Sequence, residues 1–460
     1  MTDATLFSTK NANPPPLWSH QANDITRYLQ DANVFNMSEP GTGKTRVIIE
    51  TVARLQLPTL ILAPKSTLGC VWREDFKTFA PSVSIGVAYA QDRDKIFAQD
   101  NQVTVTNIDA LVWMLRNPKY MAKFHHGFLV IDESTSLKSS VAQRTKAAMK
   151  LRPLFKYASC MSGTPSPQGV QDLWSQAYII DQGERLGASY YRFRNSCYTP
   201  KQRPGTVYTE WVEKEGAAEA TASLLEDIVV RNLRKDCMDL PPNHLIIHRV
   251  ELPEKTMREY RKLQKDSYLE VKNGTITAIN AASKATKLLQ LLSGAVYNGD
   301  TAVRIDERSQ REELVGDLVD VRKHSVVFFQ WKHQREGLSK EMQTRKLSYA
   351  VIDGSVTGSK REETIARFQN GEYRVLLCQV KSAAHGITLT RGTAVIFASP
   401  PYDPQDFQQG LARIFRGGQT RETETILLLA KDTIEDTVVY PHMLQKDRAA
   451  NYFLELLTPC

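Results

Sequence analysis

The chain has 460 residues, a formal net charge of +8 and six cysteines. That length exceeds what one hydrophobic core ordinarily supports and sets an expectation of two domains of about 200 residues each. The excess of positive charge favours a polyanionic partner, nucleic acid before others. No apolar run approaches the roughly 18 residues that cross a bilayer, and the opening MTDATLFSTKNANPPP lacks a charged-then-apolar leader pattern. Cys70, Cys160, Cys197, Cys237, Cys378 and Cys460 form no Cys-x-x-Cys pair. A membrane partner and a zinc-built fold are therefore set aside, and the expectation is a cytoplasmic protein with reduced, mostly buried thiols.

In chain order, Pro14-Pro15-Pro16 marks a stiff, exposed lead-in. Val34-Phe35-Asn36-Met37 follows as a short buried strand, and Arg46 to Ala53 continues as a helix. Between them lies SEPGTGKT, Ser38 to Thr45. Gly41 and Gly43 allow positive φ and close backbone approach, so the N–H groups around Thr42 can face the phosphates of ATP. Lys44 reaches the β and γ phosphates in this pattern, and the Thr45 hydroxyl joins a magnesium shell. Ser38 stands where the pattern ordinarily begins with glycine. Thr59 to Ala63 is a strand ending in Pro64-Lys65-Ser66-Thr67, with an amphipathic helix expected over Leu68 to Phe79. Val103 to Asn107 is another strand, with Thr106 and Asn107 at its polar tip. Phe128-Leu129-Val130-Ile131 reads as a strand buried on both faces, and it delivers Asp132 and Glu133 to the carboxyl edge, where α/β sheets place ligands. Asp132 can hold magnesium through its water shell, and Glu133 can orient or deprotonate the attacking water. Tyr157 to Met161 then leads into Ser162-Gly163-Thr164-Pro165. Strand tips this rich in hydroxyls suit phosphate oxygens of a nucleotide or of a nucleic-acid backbone.

From about Ile180 to Asp300 the strand rhythm breaks, and helical or irregular sequence is expected. Tyr190, Tyr191, Arg192, Phe193, Arg194, Tyr198, Lys201, Arg203, Tyr208 and Trp211 interleave rings and cations, a mixture that either stacks on bases or packs on itself. Leu263 to Leu292 reads as a packed helix beyond Gly274. A second alternating run begins at Ser325 to Phe329 and continues with strands at Tyr349 to Gly354, Arg374 to Cys378, Ala394 to Ala398 and Thr425 to Leu429. This second α/β layer has no phosphate loop. It carries Gln408 to Arg416, which places Arg413 and Arg416 at i,i+3 on one expected helical face, a cationic pair suited to a γ-phosphate.

Taken together, these residues resemble the Swi/Snf-type ATPases of helicase superfamily two, from Leu17 to about Lys446. Leu17 to Gln21 is similar to the opening segment whose glutamine reads adenine. SEPGTGKT and Asp132-Glu133-Ser134-Thr135 resemble the phosphate loop and acidic box, and Gly163-Thr164-Pro165 the coupling motif. Arg231 to Lys235 with Leu240-Pro241 is similar to the inter-lobe connection, and Ser382 to Thr390 to the segment that contacts nucleic acid and ATP. Gln409 to Gln419 resembles the arginine-finger motif, and Thr433 to Asp436 the closing helix. Thr135 departs from the usual histidine, Ala384-His385 from a more glycine-rich stretch, and Phe415 from a position that is often histidine.

The resemblance implies an α/β fold of two RecA-like lobes, each a mainly parallel sheet flanked by helices. The expected division is 1–235, a helical inter-lobe segment 236–300, and 301–460. It implies ATP and magnesium as cofactors, with Gln21 at adenine, Gly41, Thr42, Gly43, Lys44 and Thr45 on phosphates, and Thr45 and Asp132 on the metal. Glu133 positions water, and Arg413 and Arg416 complete the site when the lobes close. Lys65, Ser66, Thr106, Asn107 and Ser382 are assigned to the phosphates of DNA, expected to be double-stranded. The expected activity is DNA-dependent ATP hydrolysis driving translocation along duplex DNA. A strand-separating DNA or RNA helicase and a nucleotide-gated DNA-binding scaffold are the alternatives. The length also suggests a bare motor, comparable to the compact members of bacteria and their phages.

Overall fold

Continuous apolar runs flanked by amphipathic stretches have one stable arrangement in water, a parallel sheet covered by helices on both faces. The computed structural model shows this arrangement twice. It describes residues 14–202, 209–271, 274–277, 281–305, 309–356, 358–383 and 387–457. The chain divides into two compact units, whose main bodies are Met1–Ser166 with Val170–Cys237, and Met238–Glu455.

The first unit opens with α1 (Ser19–Gln30) and β1 (Val34–Asn36), followed by α2 (Lys44–Leu55). Its sheet then takes β2 (Thr59–Ala63), β3 (Ile85–Ala88), β4 (Val103–Asn107), β5 (Gly127–Asp132), β6 (Phe155–Met161) and β9 (Val229–Val230). The order across the sheet is β3-β4-β2-β5-β6-β1-β9, and every pairing is parallel. The interior strands are buried along their length, as their unbroken Val, Ile and Leu content dictates. The expected helix over Leu68 to Phe79 is a π-helical stretch, Leu68–Arg73, running into an α-helix, Glu74–Phe79. One face of the sheet packs Ile48, Val52, Trp72 and Phe76 against Ile61, Val105 and Val130.

The region 180–300, expected to be helical or irregular, contains strands as well. A ribbon of β7 (Tyr198–Gln202) and β8 (Thr209–Glu213) pairs antiparallel, outside both large sheets. Then β10 (Asn243–Val250) joins the second sheet as an edge strand, inside the segment 236–300 that reads as helical. Its two histidines and an arginine disguise it: an edge strand is half exposed, so it carries no unbroken apolar run. Further on, hairpin β11 (Tyr268–Val271) and β12 (Gly274–Thr277) interrupts the helical stretch, which consists of Glu254–Asp266 and Ala281–Leu292. Hairpin β13 (Ala295–Asn298) and β14 (Thr301–Arg304) closes the region.

The second unit's sheet adds β15 (Ser325–Phe329), β16 (Tyr349–Ile352), β17 (Val375–Gln379), β18 (Ala394–Phe397) and β19 (Thr423–Ala430). Its order is β10-β19-β18-β15-β17-β16, again wholly parallel. The aromatic–basic mixture mostly packs on itself. The Arg194 guanidinium lies 3.6 Å from the Trp211 ring centre, Tyr190 meets Trp174 edge-on, and Phe193 and Tyr198 are buried; Arg203 and Tyr208 lie outside the described residues. Cys160, Cys197 and Cys378 are buried and Cys70 and Cys237 half-buried, all five outside any disulfide, and Cys460 lies outside the described residues. Among the described residues no helix is long and apolar enough to cross a membrane.

One buried ion pair ties the second unit's last segment to its sheet. Arg311, on the helix Gln310–Asp320, donates to Glu435 at 2.6 Å, and also to Ala398 O and Ser399 Oγ. Glu435 Oε2 additionally accepts from Ala430 N. Removing one partner strands the other charge in the core. Glu435→Ala is therefore expected to destabilise the fold by about 3–5 kcal/mol, while the paired replacement Arg311→Met with Glu435→Leu costs markedly less. Urea unfolding followed by circular dichroism measures both, and an equal loss in the two proteins would refute the account.

Candidate nucleotide site

Three neighbouring strands, β5, β6 and β1, end at one edge of the first sheet, and each delivers a motif there. Two strand spacings separate β1 from β5, about 10 Å. The loop after β1 is shaped by Gly41 and Gly43 at φ 94° and 83°, and α2 starts at Lys44 directly behind it. Thr45 lies in the first turn of α2, where the helix dipole favours an anion. Lys44 Nζ donates to the carbonyls of Ser38 at 2.6 Å and Glu39 at 3.0 Å, so the lysine folds over its own loop. Burial lowers the Lys44 ammonium to about 8, opposed by the nearby negative charges of Glu133, Asp132 and Glu39. The acidic pair and the lysine thus share one neighbourhood.

Asp132 ends β5 and accepts from Trp72 Nε1 at 3.2 Å, which fixes the carboxylate. Glu133 follows in the left-handed region at φ 53°, a conformation that costs a non-glycine residue on the order of 1 kcal/mol and is held only where its surroundings impose it. The imposing contacts come from the next two residues. Thr135 Oγ1 lies 2.6 Å from Ser162 Oγ and donates to Thr164 O at 3.0 Å. Ser134 Oγ donates to Gln176 Oε1 at 2.6 Å, and Gln176 Nε2 donates to Pro165 O at 2.8 Å. Gln176 is fully buried on α3 (Leu173–Asp181). The threonine that departs from the usual histidine is therefore bonded to the Gly163-Thr164-Pro165 segment, and Gly163 itself abuts the phosphate loop: a Cβ there would sit 2.7 Å from Pro40 Cδ.

Gln21 is buried against the loop from the other side. A Cβ at Gly43 would meet Gln21 Nε2 at 2.1 Å, and Gln21 Oε1 accepts from Trp18 N at 3.0 Å. His20 Nε2 lies 2.8 Å from Thr42 O. The first unit thus gathers Gln21, Gly41, Thr42, Gly43, Lys44, Thr45, Asp132 and Glu133 around one loop.

Other assigned residues are placed differently. Thr106 is fully buried and donates its hydroxyl to Ala88 O at 2.7 Å, so it presents nothing to a DNA phosphate. Asn107 is buried too, accepting from Arg93 at 3.1 Å and facing Asp109. Both are corrected from nucleic-acid contacts to internal braces: Thr106 is bonded to the β3 edge strand beside it, and Asn107 to Arg93 and Asp109. Lys65 is exposed, its ammonium 4.6 Å from the Tyr89 ring centre, and Ser66 is half-buried. In the second unit, Ser382 Oγ donates to Gln379 Oε1 at 3.0 Å. Ala384-His385 lies outside the described residues.

The arginine pair needs a correction of a second kind. The helix α4 (Pro404–Leu411) stops before either arginine, so they share no helical face. Buried Ile414 turns inward, and the Arg413 carbonyl accepts from Leu389 N instead of extending the helix. The pair still converges: Arg413 and Arg416 both donate to Ile387 O, at 3.2 Å each.

Oxygen donors alone, the Thr45 hydroxyl and the Asp132 carboxylate, suit a hard cation that keeps most of its water. Among the described residues no group of three or more His, Cys, Asp or Glu gathers that could hold a metal ion. Sequence reasoning missed Trp72 and Gln176, and it placed Asn232 only in the inter-lobe connection, without a contact to the loop. No spacing rule points to them, since each acts on residues 42 to 208 positions away.

Comparison with known proteins places this geometry. The chain matches the SNF2-related domain over residues 16–295 and the helicase conserved C-terminal domain over 310–418. It is 29% identical to putative protein p41 of Acyrthosiphon pisum secondary endosymbiont phage 1, across 90% of this chain and 93% of that one. It is 26% identical to an uncharacterized ATP-dependent helicase of Mycoplasma genitalium, across 87% of this chain but only 38% of that one. Among solved structures it aligns with the Sulfolobus solfataricus SWI2/SNF2 ATPase core in complex with dsDNA, at 21% identity and a TM-score of 0.45, covering 96% and 95% of the two chains. The chain therefore belongs to the SNF2-related family, the Swi/Snf-type ATPases of helicase superfamily two.

Proposed function

We propose that the chain hydrolyses ATP to translocate along double-stranded DNA. The observation that carries the reading is the convergence of Lys44, Asp132 and Glu133 on the phosphate loop at adjacent strand ends, in a chain of the SNF2-related family. The loop amides, the α2 N-terminus and Lys44 bind the triphosphate. Glu133, fixed by the Ser134 and Thr135 bonds, orients the attacking water and takes its proton. A magnesium ion held by Thr45 and Asp132 would neutralise charge on the β and γ phosphates. Arg413 and Arg416, anchored together on Ile387 O, are the cations assigned to the hydrolytic state. The net charge of +8 supports a nucleic-acid track, and exposed Lys65 remains the best-placed of the assigned DNA contacts. The phage relative supports a setting in a bacterial or phage-infected cytoplasm.

Strand separation is the second reading, favoured by the β7–β8 ribbon. It pairs with no other strand among the described residues and is exposed over most of its length. Displacement of a triplex-forming strand without fork unwinding supports translocation; fork unwinding supports the alternative.

Duplex DNA is expected to stimulate ATP hydrolysis, with Lys44→Ala lowering the stimulated rate about a hundredfold or more. Raising salt from about 50 to 200 mM should remove most of the stimulation. A rate indifferent to both DNA and Lys44 would overturn the motor.

Proton linkage offers a separate check. The Lys44 ammonium titrates near 8 when no phosphate is present, and bound phosphates raise that value by favouring the charged form. Above pH 8 nucleotide binding therefore takes up a proton, and affinity falls toward about tenfold per pH unit. Titration calorimetry in buffers of different ionisation enthalpy should detect the uptake at pH 8.5 to 9 (about one proton at most) and lose it in Lys44→Ala.

A further inference from the structure

We infer that the segment through which the chain leaves the first unit belongs to the nucleotide site, with Asn232 and Arg234 as positioning residues that set the phosphate loop and register its occupancy. The inference rests on the nucleotide reading above and deepens it. The first unit ends at Cys237, and the residues just before that point run alongside the loop. Met37 N donates to Val230 O at 2.8 Å and Glu39 N to Asn232 O at 3.0 Å, so the hydrogen-bond ladder between β1 and β9 continues into the loop itself.

Side chains add a second layer. Ser38 Oγ accepts from Asn232 N at 3.0 Å and from Asn232 Nδ2 at 3.1 Å. Glu39 Oε2 accepts from Arg234 N at 2.8 Å and from Arg234 Nε at 3.2 Å. Arg231 donates to Met37 O at 3.1 Å. Asn232 Nδ2 also reaches Asp24 Oδ2 on α1 at 2.8 Å, a buried carboxylate that burial pushes up to about 6. The serine that replaces the usual first glycine of the motif is thus the acceptor through which the exit segment grips the loop.

The same two loop residues carry Lys44. Its ammonium rests on the main-chain carbonyls of Ser38 and Glu39, while Asn232 and Arg234 hold their side chains. A phosphate that draws Lys44 off those carbonyls alters the residues the exit segment grips. Occupancy is then felt at positions 232 and 234, in the segment that leads out of the unit.

Two measurements test this. The first is the affinity of the full chain for mant-ADP, unsubstituted and as Ser38→Ala, Asn232→Ala, the double variant and Arg234→Met. The second is hydrogen exchange of the amides of Asn232 and Arg234 in the unsubstituted chain, with and without mant-ADP. Asn232→Ala, Ser38→Ala and Arg234→Met are each expected to weaken binding about tenfold, and the Ser38/Asn232 double variant no more than either single. Nucleotide should change exchange at 232 and 234. Tight binding with unchanged exchange at both amides, or variants that bind as the unsubstituted chain does, would overturn the inference. Failure of the unsubstituted chain to bind mant-ADP would instead overturn the nucleotide reading beneath it.

Discussion

An ammonium group carried to the buried end of a parallel sheet is held there against its own desolvation, and in the first unit that group is Lys44. Two devices compensate. Carbonyls of its own loop accept hydrogen bonds from it, and three carboxylates, on Glu133, Asp132 and Glu39, oppose the cost of burial. The balance is incomplete, since the ammonium still titrates below an ordinary lysine. That residual strain makes the loop receptive to a polyanion, because phosphate oxygens supply the missing negative charge.

Around this charge the structure uses neutral hydroxyls and amides as spacers. Ser38 ties the loop to Asn232, Thr135 ties the acidic turn to Ser162 and Thr164, and Gln176 joins Ser134 to Pro165. A neutral bridge transmits position without adding charge beside Lys44 or Glu133. Ser38, which departs from the usual phosphate-loop pattern, and Thr135, which departs from the family's, each supply a short polar side chain bonded to a neighbouring segment.

The second unit solves a different problem, since it presents cations without a phosphate loop to hold them. Arg311 is neutralised internally by Glu435. Arg413 and Arg416 share a carbonyl acceptor at Ile387, which holds the two guanidiniums side by side. Burial of Ile414 and the break of α4 at Leu411 place them there, which helical periodicity alone does not anticipate.

Local sequence was enough to locate the strands of both sheets that are buried on two faces, because such strands need unbroken apolar runs. It located the phosphate loop and acidic pair as well, because their chemistry is compressed into eight and two consecutive residues. It was insufficient for β10, a half-exposed edge strand without that signature, and for Thr106 and Asn107, whose polar character suggested an open surface where Thr106 is in fact bonded to β3 and Asn107 to Arg93. It was silent on Trp72 and Gln176 and gave Asn232 only a place in the inter-lobe connection; the roles of all three depend on partners 42 to 208 residues away. Backbone conformation and helix propensity are set by near neighbours and can be read in order along the chain. Which buried amide meets which hydroxyl is settled only when the sheet brings distant strand ends side by side, and that was decided by tertiary structure.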